Sequence, residues 1–212
     1  RQGMILEQPK LKLKIKIIKI KKRLPKMEKA SIFKTELGYI KNEEFRNEIK
    51  DCIENVVPDY FFEVPASSTG KYHPSYALGE GGLVRHTQAA VRIAYGLFPL
   101  TNYTDDQKDF IIAALILHDT FKHGKTHEKY ARADHPFIAA VTYDEYFSKI
   151  GLSETGALLS SLIMSHMGQW NKDWKTKKEI LPKPKSTWER YVHMCDYLAS
   201  RKYLEFNFDA EV

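Results

Sequence analysis

The sequence predicts an all-α fold, a bundle of six or more helices, from two observations. From Gly82 onward, apolar residues recur at the spacing of one helix face. No convincing alternation of apolar and polar residues, which would indicate a strand, follows residue 30. We expect helices within the segments 43–57, 83–98, 105–119, 135–147, 154–167 and 187–204.

Short polar side chains mark the expected starts of these helices. Thr104 precedes an apolar run and has Gln107 three residues later, the pattern of a capping box. Similar residues stand before the last three helices, where an N-cap side chain would accept a hydrogen bond from the first turn. The expected caps there are Asp134, Ser153, and Ser186 or Thr187.

A long segment rich in proline and glycine separates the first predicted helix from the second. Pro58 ends the first helix, and residues 58–82 have a loop-like composition. A loop of this length is uncommon inside a compact domain unless it has a function. We therefore expect this segment to lie close to a functional site.

Length and composition predict one soluble globular domain. The chain has 212 residues, of which 43% are apolar and 28% charged. The only cysteines, Cys52 and Cys195, show neither metal-ligand spacing nor a disulfide framework, which favours a reducing cytoplasmic location. No apolar run is long enough for a transmembrane helix, so no membrane span is expected.

The positive charge is concentrated in an N-terminal arm. Residues 1–30 carry eleven positive charges and two negative ones, a balance of +9, so the remainder of the +6 chain totals −3. Between Leu11 and Ile17 the arm alternates apolar residues with lysine. A basic strand, a membrane-surface segment, a nucleic-acid-binding arm and a poorly ordered or non-native extension all fit this pattern. The expected domain is residues 31–212, with a core of about 60–204.

Several imidazoles and carboxylates occur on the apolar faces of the predicted helices. His86, His118 and His166 each lie three to seven residues from apolar neighbours on the same face. Asp196 lies four residues after Val192. A single such residue is usually a hydrogen-bonded core residue, but several buried polar groups are costly unless they share a partner. The expected metal ligands are His86, His118, Asp119, His135, His166 and Asp196.

The adjacent pair His118-Asp119 and the ligand types constrain this site further. Neighbours on a helix point about 100° apart, so both can reach one cation only near a helix end. Gly124 places the pair close to such an end. Imidazole with carboxylate and no thiolate suits Mn, Fe, Co, Ni or Zn, and the carboxylates also allow Mg.

Three segments carry a resemblance to the HD-domain metal-dependent phosphohydrolases. They read GGLVRHT at 81–87, AALILHDTFKHG at 113–124 and CDYLASR at 195–201. The stretch PASSTGKYHPSYALGEGGLVRHT is especially similar to YhaM-type HD proteins, which include 3′–5′ exoribonucleases. The resemblance covers roughly residues 60–204. Unlike the exoribonucleases, the chain has no recognisable OB-type nucleic-acid domain before this region. Thr120-Phe121 also replaces the small apolar pair that usually follows the His-Asp pair.

The resemblance implies an HD-domain bundle that holds two divalent ions. His86, His118, Asp119 and Asp196 would bind the first ion, and His135 and His166 the second, with Asp119 as the bridge. Two cations about 3.5–4 Å apart lower the pKa of a shared water, so that a metal-activated hydroxide is available near neutral pH. Asp119 and Lys122 are therefore the expected catalytic residues. Lys122 would contact a phosphate oxygen or form an ion pair with a neighbouring carboxylate.

The resemblance implies hydrolysis of a phosphomonoester or phosphodiester of a nucleotide or short oligonucleotide. A nucleotide or single-stranded nucleic acid would be the substrate. The alternative is a nucleic-acid-binding or regulatory module with a structural metal. The basic segment after His118-Asp119 is either an anion funnel or a solvated loop. Trp170 and Trp174 could stack on a base, although packing at a helix end is favoured. The candidate substrate contacts are Lys122, His73, Arg132 and Gln169.

Overall fold

The computed structural model describes residues 28–67, 70 and 73–204, and this part of the chain is all-α, as predicted. It contains five short 3-10 turns and no β-strand; an isolated backbone bridge joins Lys172 to Glu179. The basic arm lies outside the described residues, except for residues 28–30. The helices are α1 (Lys34–Gly38), α2 (Glu43–Val56), α3 (Gly82–Leu97), α4 (Asp105–Leu117), α5 (His135–Lys149), α6 (Ser153–Met164) and α7 (Thr187–Ala199).

Helix α4 forms the centre of the bundle. Every residue from Ile111 to Leu117 is buried, so this half of the helix is surrounded by protein on all sides. The helix packs against α3, α6 and α7, while α5 lies along α6 and α3 lies along α7. Because α4 ends at Leu117, the pair His118-Asp119 emerges from the middle of the core. None of the helices in the described residues has the length and apolar content needed to cross a membrane.

Two of the predicted helix caps are confirmed. Thr104 and Gln107 form a full capping box on α4, and Ser186 forms another with Glu189 on α7. The third is confirmed in position only: Asp134 is the N-cap residue of α5, but its side chain makes no cap hydrogen bond, and the Arg132 guanidinium holds both of its carboxylate oxygens at 2.8 Å. The fourth is wrong. Ser153 is the first residue of α6 rather than its cap.

The long segment before α3 is built around Arg85. Its guanidinium donates hydrogen bonds to the backbone carbonyls of Tyr76, Leu78 and Glu80, at 2.6, 2.9 and 2.9 Å. Two 3-10 turns, Asp59–Phe62 and Ser75–Ala77, interrupt the predicted loop. Arg85 therefore fixes residues 76–80 against the start of the helix that carries His86.

Replacing Gly82 with Ala is expected to destabilise the protein by about 1–3 kcal/mol, because it overpacks a rigid contact. A Cβ atom at Gly82 would lie 2.4 Å from the carbonyl oxygen of Ala77 and 3.1 Å from Cα of Pro65, and both neighbours are backbone. Gly96→Ala in the same helix is the matched control. Gly96 has nothing within 4 Å of an added Cβ, so its replacement should stabilise the helix by about 0.5–1 kcal/mol. Urea unfolding of both variants measures the difference, and equal stabilities would refute the tight contact.

Candidate metal centre

The six predicted ligands come together from five helices and the residues beside them. His86 lies on α3, His135 begins α5, and Asp196 lies on α7. The other three residues lie just beyond helix ends, His118 and Asp119 after α4 and His166 after α6. Apart from the partly buried Asp196, every one of them is at most 3% exposed. The prediction that these residues converge is confirmed, and they form three overlapping groups that could hold a metal ion.

One side of the cluster gathers around Asp196. The ε-nitrogen of His86 lies 2.9 Å from Oδ1 of Asp196, and that of His118 lies 3.4 Å from the same oxygen. Both nitrogens also face Oδ2 of Asp119, at 3.7 and 3.6 Å. Two imidazoles and two carboxylates therefore surround one small volume.

The other side of the cluster gathers around the second oxygen of Asp119. Oδ1 lies 2.9 Å from the ε-nitrogen of His135 and 3.6 Å from that of His166. The two ε-nitrogens are 3.3 Å apart. Asp119 thus turns one oxygen toward each half of the cluster, which is the arrangement that a bridging carboxylate requires.

Backbone carbonyls fix the tautomers of three of the histidines. The δ-nitrogens of His118, His135 and His166 each lie 2.6–2.7 Å from a carbonyl oxygen three residues earlier in the chain. A carbonyl only accepts hydrogen bonds, so each δ-nitrogen must carry the proton. In the neutral ring, the ε-nitrogen then presents its lone pair to the cluster, which is how protein surroundings prepare a histidine to bind metal.

These tautomers leave unsatisfied acceptors inside the cluster. Neutral His135 and His166 would point two lone pairs at each other across 3.3 Å. Nε2 of His118 and Oδ1 of Asp119 are buried and lack an aligned hydrogen-bond donor among the described residues. Buried acceptors without a donor are costly, and a cation between them would satisfy several at once. The donor set therefore fits a divalent metal.

Opposite charges keep the two carboxylates ionised. Burial opposes the charge of Asp119, but Lys122 and His118 outweigh it and hold the pKa of Asp119 well below its usual range. Nζ of Lys122 lies 2.5 Å from Oδ2 of Asp119. Burial likewise opposes the charge of Asp196, and the neighbouring His118 and His86 imidazoles outweigh it and lower its pKa. Both groups are thus available as anionic ligands at neutral pH.

Comparison with protein-family models, with curated proteins and with solved structures gave no match. The resemblance to the HD-domain phosphohydrolases therefore stays a prediction from the local sequence motifs.

A large open cavity adjoins the cluster. It measures about 1570 Å³, above the roughly 300–1000 Å³ usual for small-molecule pockets. His135 and Asp196 lie in its wall, so the cluster faces the cavity directly. A molecule in this cavity would have access to both halves of the candidate metal centre.

Three of the four predicted substrate contacts line this cavity. They are His73, Lys122 and Arg132. Lys122 and Arg132 already form ion pairs, Lys122 with Asp119 and Arg132 with Glu128 and Asp134.

The fourth predicted contact does not line the cavity. Gln169 lies outside the lining, with its side-chain oxygen 3.0 Å from Nε2 of His193. Of the basic segment that follows His118-Asp119, Arg132 lines the cavity, whereas His123, His127 and Lys129 do not.

His193 supports the cluster from outside. Its δ-nitrogen donates a hydrogen bond to the carbonyl oxygen of His166, at 2.7 Å. Gly168 makes room for this ring, since a Cβ atom there would lie 2.3 Å from it. The only sequence signal was a glycine two residues after a predicted ligand. That signal is too weak to identify the partner.

His73 is expected to make stability depend on pH. Burial and then repulsion from His86 lower the pKa of His73 from 6.5 to about 3. As the pH falls below 6.5, the unfolded chain takes up a proton that the folded protein does not, so stability is lost. The loss approaches about 1.4 kcal/mol per pH unit.

His73→Phe should remove this component of the pH dependence. Urea unfolding of both proteins at about pH 7.5 and about pH 5.5 brackets the ordinary histidine pKa. We expect the wild type to lose more stability than the variant between these two conditions. An equal loss would show that His73 is solvated.

Proposed function

We propose that the protein is a metal-dependent phosphohydrolase of the HD-domain type. It would cleave a phosphomonoester or phosphodiester of a nucleotide or short oligonucleotide. The observation that carries the proposal is a buried cluster of imidazoles and carboxylates beside an open cavity, with His135 and Asp196 in the cavity wall. In their neutral form, His118, His135 and His166 each present an ε-nitrogen lone pair beside the shared carboxylate of Asp119.

The six residues divide between two divalent ions in this proposal. His86, His118, Asp196 and Oδ2 of Asp119 would hold one ion, and His135, His166 and Oδ1 of Asp119 the other. Such ions activate water as a nucleophile and neutralise charge on phosphate oxygens. Carboxylate and imidazole ligands suit Mn, Fe, Co, Ni or Zn, and Mg is also compatible.

Lys122 would act on the substrate from the same wall. Its ammonium group contacts Asp119 and also lines the cavity, so it lies between the candidate metal centre and any bound phosphate. A cation held in this position would bind a phosphate oxygen and stabilise negative charge that develops during hydrolysis. The contact with Asp119 fixes the ammonium group before substrate binds.

An open site favours catalysis over the alternative of a structural metal. Structural metal sites are usually enclosed by protein ligands, whereas catalytic sites keep a position open to substrate. Here Asp196 and His135 belong both to the cluster and to the cavity wall. We therefore prefer the enzyme to a regulatory module with a structural ion.

A substrate panel tests this proposal. The purified full chain would be assayed with Mn²⁺ against nucleoside mono- and triphosphates, cyclic dinucleotides and single-stranded RNA, with EDTA-treated protein as the control. We expect hydrolysis of at least one class with Mn²⁺ and none in EDTA. Protein that binds the metal but hydrolyses no member of the panel would contradict the proposal.

A further inference from the structure

A hydrogen-bonded turn lies beside the cavity, between the 3-10 turn Gly168–Trp170 and α7. Asn171 closes its base, since its backbone oxygen accepts hydrogen bonds from the amides of Ile180 and Leu181. The Asn171 side chain is buried and donates to the carbonyl of Leu181, at 2.9 Å. Residues 171–181, called here the Trp174 turn, therefore hold a defined shape.

The tip of this turn exposes a tryptophan. The carboxylate of Asp173 accepts hydrogen bonds from the amides of Lys175 and Thr176, at 3.1 and 2.7 Å, which fixes the backbone on either side of Trp174. The Trp174 side chain is nevertheless 68% exposed. The sequence favoured packing at a helix end for Trp174, and that prediction is wrong. A large apolar ring held in water by an ordered backbone is a candidate contact surface.

The Trp174 turn and its flank are strongly basic. Residues 171–185 contain six lysines and only two acidic residues, Asp173 and Glu179. Nζ of Lys175 lies 5.1 Å from the centre of the Trp174 ring, and Lys178 lines the cavity. Within the described residues, neither lysine forms an ion pair, so both charges are available to an anionic partner.

The turn shares its cavity with the candidate metal centre. Trp174, Lys175 and Lys178 line the same space as His135 and Asp196. Two further aromatic side chains, Phe137 and Trp170, also line it and are about half exposed. Aromatic rings and two lysines without an ion pair among the described residues thus line the same cavity as two of the candidate metal ligands.

We propose that the Trp174 turn binds single-stranded nucleic acid and presents its end to the candidate metal centre, an inference that rests on the proposed function. Bases would stack on Trp174, and backbone phosphates would pair with Lys175 and Lys178. Aromatic platforms within a basic groove are the usual means of binding single strands without sequence preference. A free mononucleotide would leave much of the roughly 1570 Å³ cavity unfilled.

Binding without added metal tests this inference independently of catalysis. The probe is a fluorescein-labelled oligoadenylate RNA of about ten nucleotides, and its anisotropy is measured with the full chain. Loss of one stacked base costs about 1–3 kcal/mol, so we expect Trp174→Ala to weaken binding roughly 5- to 150-fold. Trp174→Phe should retain most of the affinity, because it keeps a ring.

The lysines are tested by salt dependence. For single strands, each phosphate contact contributes about 0.7 to the slope of log affinity against log salt concentration. Replacing both Lys175 and Lys178 with Ala should therefore reduce that slope by about 1.4. An unchanged slope would show that Lys175 and Lys178 do not contact the phosphates.

Tyr130→Ala is the matched control for Trp174→Ala. Tyr130 is 64% exposed and has Nζ of Lys129 5.3 Å from its ring centre, yet it does not line the cavity. We expect it to leave RNA affinity unchanged.

The inference would be overturned if the wild type bound no RNA, including the case in which it bound anionic phospholipid vesicles through Trp174 instead. It would also be overturned if Trp174→Ala and Tyr130→Ala changed RNA affinity equally. Trp174-dependent RNA binding without hydrolysis of any substrate would instead contradict only the proposed function.

Discussion

Replacing Asp119 with Asn is expected to lower metal-dependent hydrolysis by at least about a hundred- to a thousandfold. The two oxygens of Asp119 face the two halves of the cluster, so one substitution affects both candidate ions. Asn keeps the size of the side chain but removes its negative charge, and its amide group would point donors at a cation. The measurement is the initial rate of Mn²⁺-dependent hydrolysis of the best substrate from the panel.

Asp106→Asn is the control for the loss of one carboxylate. Asp106 lies exposed in the first turn of α4, the same helix that leads to Asp119, and should tolerate the change with full activity. Circular dichroism of both variants would check that each remains folded. A folded Asp119→Asn protein with wild-type rates would show that hydrolysis does not depend on this cluster.

Divalent metal is expected to stabilise the folded protein strongly. The ligands converge only in the folded chain, so binding contributes to the free energy of unfolding, by about 2.7 kcal/mol when the free metal is a hundredfold above its Kd. The metal would also satisfy the buried acceptors of His118 and Asp119. Urea unfolding with Mn²⁺, with Zn²⁺ and with EDTA measures this difference.

Two comparisons make the stabilisation specific to the site. Asp119→Asn should lose most of it, whereas Asp106→Asn should keep it. The stabilisation should also weaken in acid, because protonated imidazoles do not bind metal. Stability that is the same with metal and with EDTA at neutral pH would mean that the cluster is not a metal site.

The fold and the ligands were predictable where the signal is local or periodic. The capping boxes at Thr104 and Ser186 depend on residues three positions apart, and both are confirmed. His86 and His118 were identified because a polar residue on an apolar helix face is conspicuous. The sequence could not show which carboxylate oxygen faces which histidine, since that depends on how five helices pack.

Features that depend on competition between neighbours or on distant contacts were missed. Asp134 stands at the N-cap of α5, but its carboxylate pairs with Arg132 and makes no hydrogen bond to the helix amides. Helical spacing cannot show whether a tryptophan is covered, so the exposure of Trp174 became known only from the structure. The same holds for His193, whose partner is a backbone carbonyl of another segment.

The metal content of the purified chain tests the central claim most directly. After incubation with Mn²⁺ and removal of unbound ions, elemental analysis of the wild type should give about two ions per chain. Asp119→Asn should give far fewer, and Asp106→Asn should match the wild type. A wild-type protein without bound metal, or an Asp119→Asn protein with equal content, would contradict the assignment of these six residues as a metal centre.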